Sequence, residues 1–398
     1  MNKNSPILIS LVLFDCGGIG HNYEYVNAVC DATTQIDWRH YAALPSNFNG
    51  VDLKENWNAC LVGCRRLSNH KENLFLKTIR LTLRSFKLAK SIHQYLYKCL
   101  SAPDNSQIII FIDSFKPPEL LAFVISLLFL PKKQLIIWLL YRHDDYQKKI
   151  IGIFYKIMNN LIEINVSKQN FVILTDSEKL NNSLTKYFNR QIYVMPIPHT
   201  QNIAPSIGKE IRSITSNSDD SSILAWWCGN PNPEKGLAII QRLVTVFDEF
   251  SKQFNLFLSE ATHISNKTND ITLTFLPAYL TRQQYLEQLS KIDILLLPYN
   301  SNIYKERTSG VFVEGVCAGK IPFVTQGTWM ATELIKYNLS ELIIDWEQND
   351  VITSIYKLAK DSDIQRKVTQ MQNVYVIKHS ILSYSQCMKE ILLVSNQF

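Results

Sequence analysis

The chain has 398 residues, 46% hydrophobic and 19% charged, with eight cysteines and a formal net charge of +6. This composition excludes a disordered, collagen-like or coiled-coil chain, and at roughly 150 residues per domain the length points to two domains. The charge is unevenly placed: residues 1–200 carry 23 Lys and Arg against 15 Asp and Glu, and residues 201–398 carry 18 against 20. The first half is therefore +8 and the second −2, which suggests domains with different partners.

The first apolar run, Ile7–Phe14, is too short to span a bilayer and reads as a buried strand. It enters a glycine turn containing Gly17, Gly18 and Gly20, and a helix follows. Such a turn lets the backbone approach a ligand, which suits a nicotinamide dinucleotide as well as other phosphates. The G-x-G-x-x-G pattern is incomplete, however, because Tyr23 stands in its third position. A long helix is expected over Lys77–Leu100. Lys77, Arg80, Arg84 and Lys87 are spaced as one basic face, with Ile79, Leu83, Phe86, Lys90 and Ile92 away from it. Such a helix, over 77–98, fits either an ordinary solvated surface or peripheral contact with an anionic membrane. Its aromatics are not interleaved for nucleic-acid stacking, so no nucleic-acid partner is expected.

Buried strands are then expected at Ile108–Ile112, Leu135–Tyr141 and Phe171–Thr175, with a helix over Pro118–Leu130. Pro131, Lys132 and Lys133 break the long apolar stretch 120–141 into pieces too short to cross a bilayer. His143 follows a strand directly, flanked by Arg142 and Asp144, and belongs at a strand's carboxyl end. Asp176 and Ser177 can cap the next helix. Pro196–Ser222, rich in Pro, Ser, Asn and Asp, reads as a linker. The strand rhythm resumes at Ser222–Cys228, Leu256–Ser259, Ile271–Leu276, Ile292–Pro298, Ile321–Thr325 and Glu341–Ile344. Continuous apolar strands alternating with helices specify parallel sheets covered on both faces. The expected architecture is α/β: two Rossmann-like domains facing a central cleft, over 1–198 and 199–381, with a terminal helix at about 382–398 packing back on the first. The cysteines lie mostly in apolar runs without C-x-x-C pairs, as free buried thiols in a reducing compartment do.

Two segments of the second half carry chemistry. After the strand ending at Gly229-Asn230, Lys235-Gly236 opens a helix. After the strand ending at Pro298, a polar loop leads through Glu306 and Arg307 to Ser309-Gly310 and a helix containing Val311, Phe312 and Glu314. The N–H groups of residues 310–312 can hold a phosphate at the helix N-terminus, and Glu314 can accept two hydrogen bonds from a vicinal diol. Asp361-Ser362-Asp363 has a D-x-D form but lies in a polar helical stretch, so no catalytic metal is expected.

The spacing Glu306…Glu314 followed by Ala318-Gly319-Lys320-Ile321-Pro322 resembles the signature of the retaining GT-B glycosyltransferases of family 4, with one residue more between Gly and Pro. The resemblance covers most of the chain and is strongest over 222–334. It implies a nucleotide-sugar donor as substrate, no separate cofactor, and a glycan, lipid-linked or other acceptor bound by the first domain. Gly229, Lys235, Arg307, Ser309, Gly310, Val311, Phe312 and Glu314 would serve the donor, and Glu306 and His143 the transferred sugar. The loop of Gly17, Gly18 and Gly20 would lie beside the acceptor. Asn230 stands where the family has Arg, and Arg307 is a candidate substitute. A cytoplasmic enzyme is expected, free or peripheral on a membrane. A sugar-nucleotide epimerase and a non-catalytic nucleotide- or glycan-binding protein are the alternatives.

Overall fold

The computed structural model describes residues 5–14, 21–48, 53–64, 74–101, 106–131, 135–198, 200, 203, 222–229, 231–246, 248–264 and 270–395. It divides into two units, Met1–His199 with Ile381–Phe398, and Thr200–Ser380. Among the described residues, no helix is long and apolar enough to cross a membrane. Most of the segment 196–222 lies outside the described residues.

The first unit is built on a seven-stranded parallel sheet. In chain order its elements are β1 (Ile7–Leu11), α1 (His21–Gln35), β2 (Arg39–Pro45), β3 (Trp57–Leu61), α2 (Leu74–Leu100), β4 (Ile108–Ile112), α3 (Pro117–Leu128), β5 (Leu135–Tyr141), α4 (Lys149–Val166), β6 (Phe171–Thr175), α5 (Glu178–Phe188) and β7 (Tyr193–Val194). The strand order is β3-β2-β1-β4-β5-β6-β7. Strand side chains alternate between the faces. Ile7, Ile9, Ile110 and Ile137 join one core beneath α2 to α5, while Leu8, Ile109, Phe111 and Trp138 join another beneath α1. Both faces are covered, which explains why β1, β4, β5 and β6 are apolar without a polar alternation. The last helix, α12 (Ile381–Ser395), packs on the α1 face, where the hydroxyls of Tyr25 and Tyr384 are 3.1 Å apart.

The second unit has a six-stranded parallel sheet of order β10-β9-β8-β11-β12-β13. Its elements are β8 (Ile223–Trp226), α6 (Leu237–Leu243), β9 (Phe254–Ser259), β10 (Thr272–Leu276), α7 (Arg282–Lys291), β11 (Ile294–Leu297), α8 (Gly310–Cys317), β12 (Ile321–Thr325), α9 (Trp329–Lys336), β13 (Ile343–Ile344), α10 (Val351–Lys360) and α11 (Ser362–Lys378). A Cβ on Gly315 would lie 2.1 Å from a methyl of Leu295, so α8 sits close on β11. On its other side α11 fixes α8, with the Gln372 amide donating to the Cys317 carbonyl at 3.0 Å. In both sheets the chain reverses its direction of growth at the first strand, between β1 and β4 and between β8 and β11. Such switch points are where parallel α/β sheets bind ligands, at the strands' carboxyl ends.

The structure adds to or departs from the sequence expectations in three places. Strands β2, β3 and β7 had no clear apolar run, since RHYAALP mixes charge and alanine and the other two lie at or near the sheet edges. Asp361 caps α11, accepting from the backbone of Asp363 and Ile364, and Asp363 pairs with Arg366 and Lys367. The D-x-D form is thus a helix start. The basic face of α2 is also not a uniform stripe: Arg84 turns inward onto Glu119, Ile92 is buried, and Ile79, Leu83 and Phe86 are exposed. Seven of the eight cysteines are described, and all seven are free thiols. Cys228 and Cys317 are buried, and the others are half-buried.

Candidate functional site

The second unit brings its two informative segments together because β8 and β11 are neighbours in the sheet. After β8 the chain turns at Gly229, whose φ is +101°. The Asn232 side chain then accepts from the Glu234 N–H at 3.0 Å and starts a 3-10 turn, Pro233–Lys235. Gly236 closes it at φ +84°, against the end of β11: a Cβ there would lie 2.1 Å from the Pro298 carbonyl oxygen. The Asn300 N–H donates to the Glu234 carbonyl at 2.9 Å, and Arg307 pairs with the Glu234 carboxylate at 3.7 Å. Segments about 70 residues apart in sequence are thus bonded to each other.

Lys235 occupies the middle of this arrangement. Its backbone carbonyl accepts from the Trp227 indole at 3.0 Å. Its ammonium lies 2.7 Å from where a Cβ on Gly229 would stand, and 5.8 Å from the centre of the Tyr299 ring. The absence of a side chain at 229 is what makes room for that cation. Burial pushes the Cys228 thiol up to about 12, with the Lys235 charge opposing and the Glu314 charge adding. Both the ammonium and the carboxylate are therefore within electrostatic reach of that thiol. Arg307 stands with its guanidinium 5.0 Å from the Tyr304 ring, paired to Glu234. Asn230 lies outside the described residues.

Ser309 is the N-cap of α8, accepting from the Phe312 N–H at 3.3 Å. The Val313 N–H bonds the Ser309 carbonyl at 3.1 Å. Of the three amides expected to meet a phosphate, that of Phe312 bonds Ser309 here. Phe312 is already committed to the cap, which leaves Gly310 and Val311 as the first-turn donors. Glu306 is buried in the loop before the cap, 7% exposed. Glu314 is fully buried, and its Oε1 accepts from Arg282 at 2.7 Å. Burial pushes the Tyr285 phenol well up, and the adjacent Glu314 carboxylate adds to that. Glu314 is therefore held in a fixed ion pair rather than opened to solvent. Arg282 was not marked by any motif. It opens α7, whose Thr281–Gln284 capping box sets the helix start and hence the reach of the guanidinium.

In the first unit, Gly17, Gly18 and Gly20 lie outside the described residues. At the carboxyl end of β5, His143 and Asp144 are half-buried. Beside them Arg142 donates to Asp176 at 2.9 Å and stands 5.1 Å from the Tyr25 ring centre. Ser177, not Asp176, caps α5, accepting from the Leu180 N–H at 3.1 Å. Asp145 is gripped by Lys116 and Lys148, whose pull outweighs burial and holds its carboxyl down at about 2. The residue missed by sequence reading is Asp113, which directly follows β4 at the switch point. It is 4% exposed, and among the described residues its Oδ2 has no hydrogen-bond partner. Burial raises its carboxyl to about 6, with the Arg142 charge opposing. The rule that marked His143, a polar residue directly after a buried apolar strand, marks Asp113 equally well.

Two parallel Rossmann-like α/β units, each with its polar residues gathered at strand ends by a switch point, define the GT-B architecture, and the chain has that fold. Solved structures match it over nearly their whole length. Sucrose-phosphate synthase from Thermosynechococcus elongatus is 11% identical, covers 98% of each chain and has a TM-score of 0.63. A trehalose-6-phosphate protein from E. coli, bound with UDP-2-fluoro glucose, is 11% identical over 98% of this chain and 99% of its own, with a TM-score of 0.58. An alpha-glucosyltransferase in complex with UDP and DNA is 12% identical over 99% and 100%, with a TM-score of 0.52. No protein-family model matches the sequence, and no curated protein matches it.

Proposed function

We propose that the chain is a retaining glycosyltransferase of the family 4 type, moving a sugar from a nucleotide-sugar donor to an acceptor held by the first unit. The observation that supports it is the bonding of the Lys235 turn to the Glu306–Glu314 segment at the β8/β11 switch point. In this reading the Lys235 ammonium, the N-terminus of α8 and the carboxylates of Glu306 and Glu314 serve one donor. The solved structures of the same fold that hold UDP or a UDP-sugar support a nucleotide donor here.

In this reading the donor's diphosphate lies on Lys235, Gly229 and the N–H groups of Gly310 and Val311. Cleavage of the bond between the anomeric carbon and phosphate leaves negative charge on the diphosphate, and a preorganised cation and amides stabilise it. Arg307, paired to Glu234, would supplement Lys235 only on leaving that partner, in place of the arginine that Asn230 replaces. Glu314, buried and paired to Arg282, would meet the ribose only once that pair opens, and Glu306 orients the sugar hydroxyls. His143 contacts the transferred sugar and Asp113 accepts a hydrogen bond from an acceptor hydroxyl. No side chain stands as a covalent nucleophile in this scheme. The acceptor oxygen attacks the face the diphosphate leaves, its proton passes to the departing phosphate oxygen, and configuration is retained.

The first test is thermal stabilisation by UDP, GDP and ADP and by their sugars, since a ligand that binds only the folded state raises its stability by mass action. Stabilisation by none of them would overturn the reading. The second is Glu306→Gln, which should retain nucleotide binding and fold while losing transfer by about a hundredfold or more. The replacement of the expected arginine by Asn230 favours one second reading, a nucleotide-binding protein that transfers nothing. It would be stabilised by the nucleotide yet release no free nucleoside diphosphate from any nucleotide sugar.

A further inference from the structure

The first unit covers one face of its sheet with α2, α3 and α4 side by side, α3 in the middle. Each helix buries one side: Leu88, Ile92 and Leu96 from α2, Phe123 from α3, and Tyr155 and Ile162 from α4 all enter the same core. What the layer shows to water is unusual for a soluble surface. On α2 the exposed residues Ile79, Leu83 and Phe86 follow one another at intervals of four and three. On α4 Ile150, Ile153 and Ile157 do so at three and four, and Ile150 is 84% exposed. At 100° per residue each set falls within an arc of about 60°, so each helix carries a straight outward apolar ridge. Scattered exposed apolar residues need no explanation, but contiguous ridges mark contact surfaces.

The charge around these ridges has one sign. The three helices contain eight basic and two acidic residues. Both acids are neutralised within the fold, Glu119 by Arg84 and Glu163 by Arg190. Arg80 and Lys87 lie along one flank of the α2 ridge, Lys90 lies within it, and Lys149 and Lys156 flank the ridge on α4; all five are exposed. Five exposed cations thus surround apolar side chains that have no partner among the described residues. Aliphatic ridges bordered by lysine and arginine complement a surface that is anionic at the headgroup and apolar just below it.

We propose that the outer α2–α4 face of the first unit docks on an anionic lipid bilayer, with the ridges of Ile79, Leu83, Phe86 and of Ile150, Ile153, Ile157 entering the headgroup boundary and the flanking basic residues meeting lipid phosphates. This goes beyond the glycosyl-transfer reading and does not depend on it. The sequence pattern alone placed the interaction on a basic stripe; the structure moves it to the apolar ridges, because Arg84 is occupied by Glu119.

The test is flotation of the full chain with vesicles of phosphatidylcholine alone or mixed with phosphatidylglycerol. Binding is expected to the mixed vesicles, weak to the neutral ones, and reduced but not abolished at high salt. The double variants Leu83→Glu/Phe86→Glu and Ile150→Glu/Ile157→Glu should each lower vesicle binding about tenfold or more with unchanged circular dichroism. Ile377→Glu, an equally exposed apolar position on the second unit, should leave it unchanged. Absence of binding to anionic vesicles, or an equal loss in Ile377→Glu, overturns the proposal. So does self-association, seen by light scattering without lipid, that the double variants abolish while vesicle binding survives. An acidic protein captured in place of vesicles by the same residues would equally refute a lipid surface.

Discussion

Asp113→Asn should make the protein more stable at neutral pH while impairing transfer. Asp113 is 4% exposed, with one carboxylate oxygen lacking a hydrogen bond among the described residues, and burial raises its carboxyl from 3.8 to about 6. An acid whose pKa is higher folded than unfolded binds its proton more tightly in the native state, so acidification stabilises the fold between these two values. Above about 6 the native state carries the whole cost of a buried charge. The gap from 3.8 to about 6 corresponds to about 3 kcal/mol. Asn has the same shape without the charge, and Arg142 keeps its bond to Asp176. The variant should therefore exceed the parent by up to about 3 kcal/mol at pH 8, and by little at pH 4. For a unit of roughly 200 residues this is a rise of about 5–10 °C at pH 8. The assay is the melting temperature of both proteins from pH 4 to 8, with transfer measured at pH 7.5. Equal shifts at pH 4 and 8, or a loss of stability at pH 8, would refute the assignment of a buried charge. Unchanged transfer would refute the acceptor role.

Three further outcomes follow from the donor site. Lys235→Ala should weaken UDP binding at least about tenfold, measured by calorimetry, because it removes the ammonium beside Gly229 while leaving the amides of α8 in place. Gly236→Ala forces a side chain into positive φ and onto the Pro298 carbonyl, and should cost about 3 kcal/mol of unfolding free energy in a urea titration. Arg282→Met leaves Glu314 buried without the Arg282 guanidinium and should cost about 3–5 kcal/mol at pH 7. The double variant Arg282→Met/Glu314→Gln should recover most of that loss in the same titration, as a buried pair replaced together does.

The sheets were legible because their strands are buried on both faces. β4, β5, β6 and β11 are continuous apolar runs, which a sequence shows without any knowledge of partners. β2 was not legible, because Arg39 and His40 belong to its polar start and only the fold reveals His40 bonded to Ser10. The donor segments were legible as motifs because a tight turn needs glycine and a helix start needs a cap, and both needs leave marks at fixed spacing. Their electrostatic environment was not. Arg282 meets Glu314 from 32 residues away, and Arg142 meets Asp176 from 34 away. Pairings of this kind depend on which helix lies over which strand, and no local pattern carries that. α2 shows the same limit: spacing gave its basic residues, but packing decided that Arg84 faces Glu119 and that the apolar ridge faces outward.

The charge asymmetry has its own explanation in these placements. A unit that binds a diphosphate through the bulk field would be expected to carry excess positive charge, yet residues 201–398 sum to −2. The cations around the donor site resolve the contradiction. Arg282 is neutralised by Glu314 and Arg307 by Glu234, while among the described residues Lys235 has no carboxylate partner. Attraction for an anion here rests on one positioned ammonium and a helix N-terminus, which act over the first few ångströms and do not require net charge. The first unit is the reverse case. Among the described residues, Arg80, Lys87, Lys90, Lys149 and Lys156 lie exposed on its helices, and distributed charge of that kind suits an extended anionic surface. On the two proposals together, the halves differ in charge because one would hold a compact anion through local geometry and the other would meet a broad one through its field.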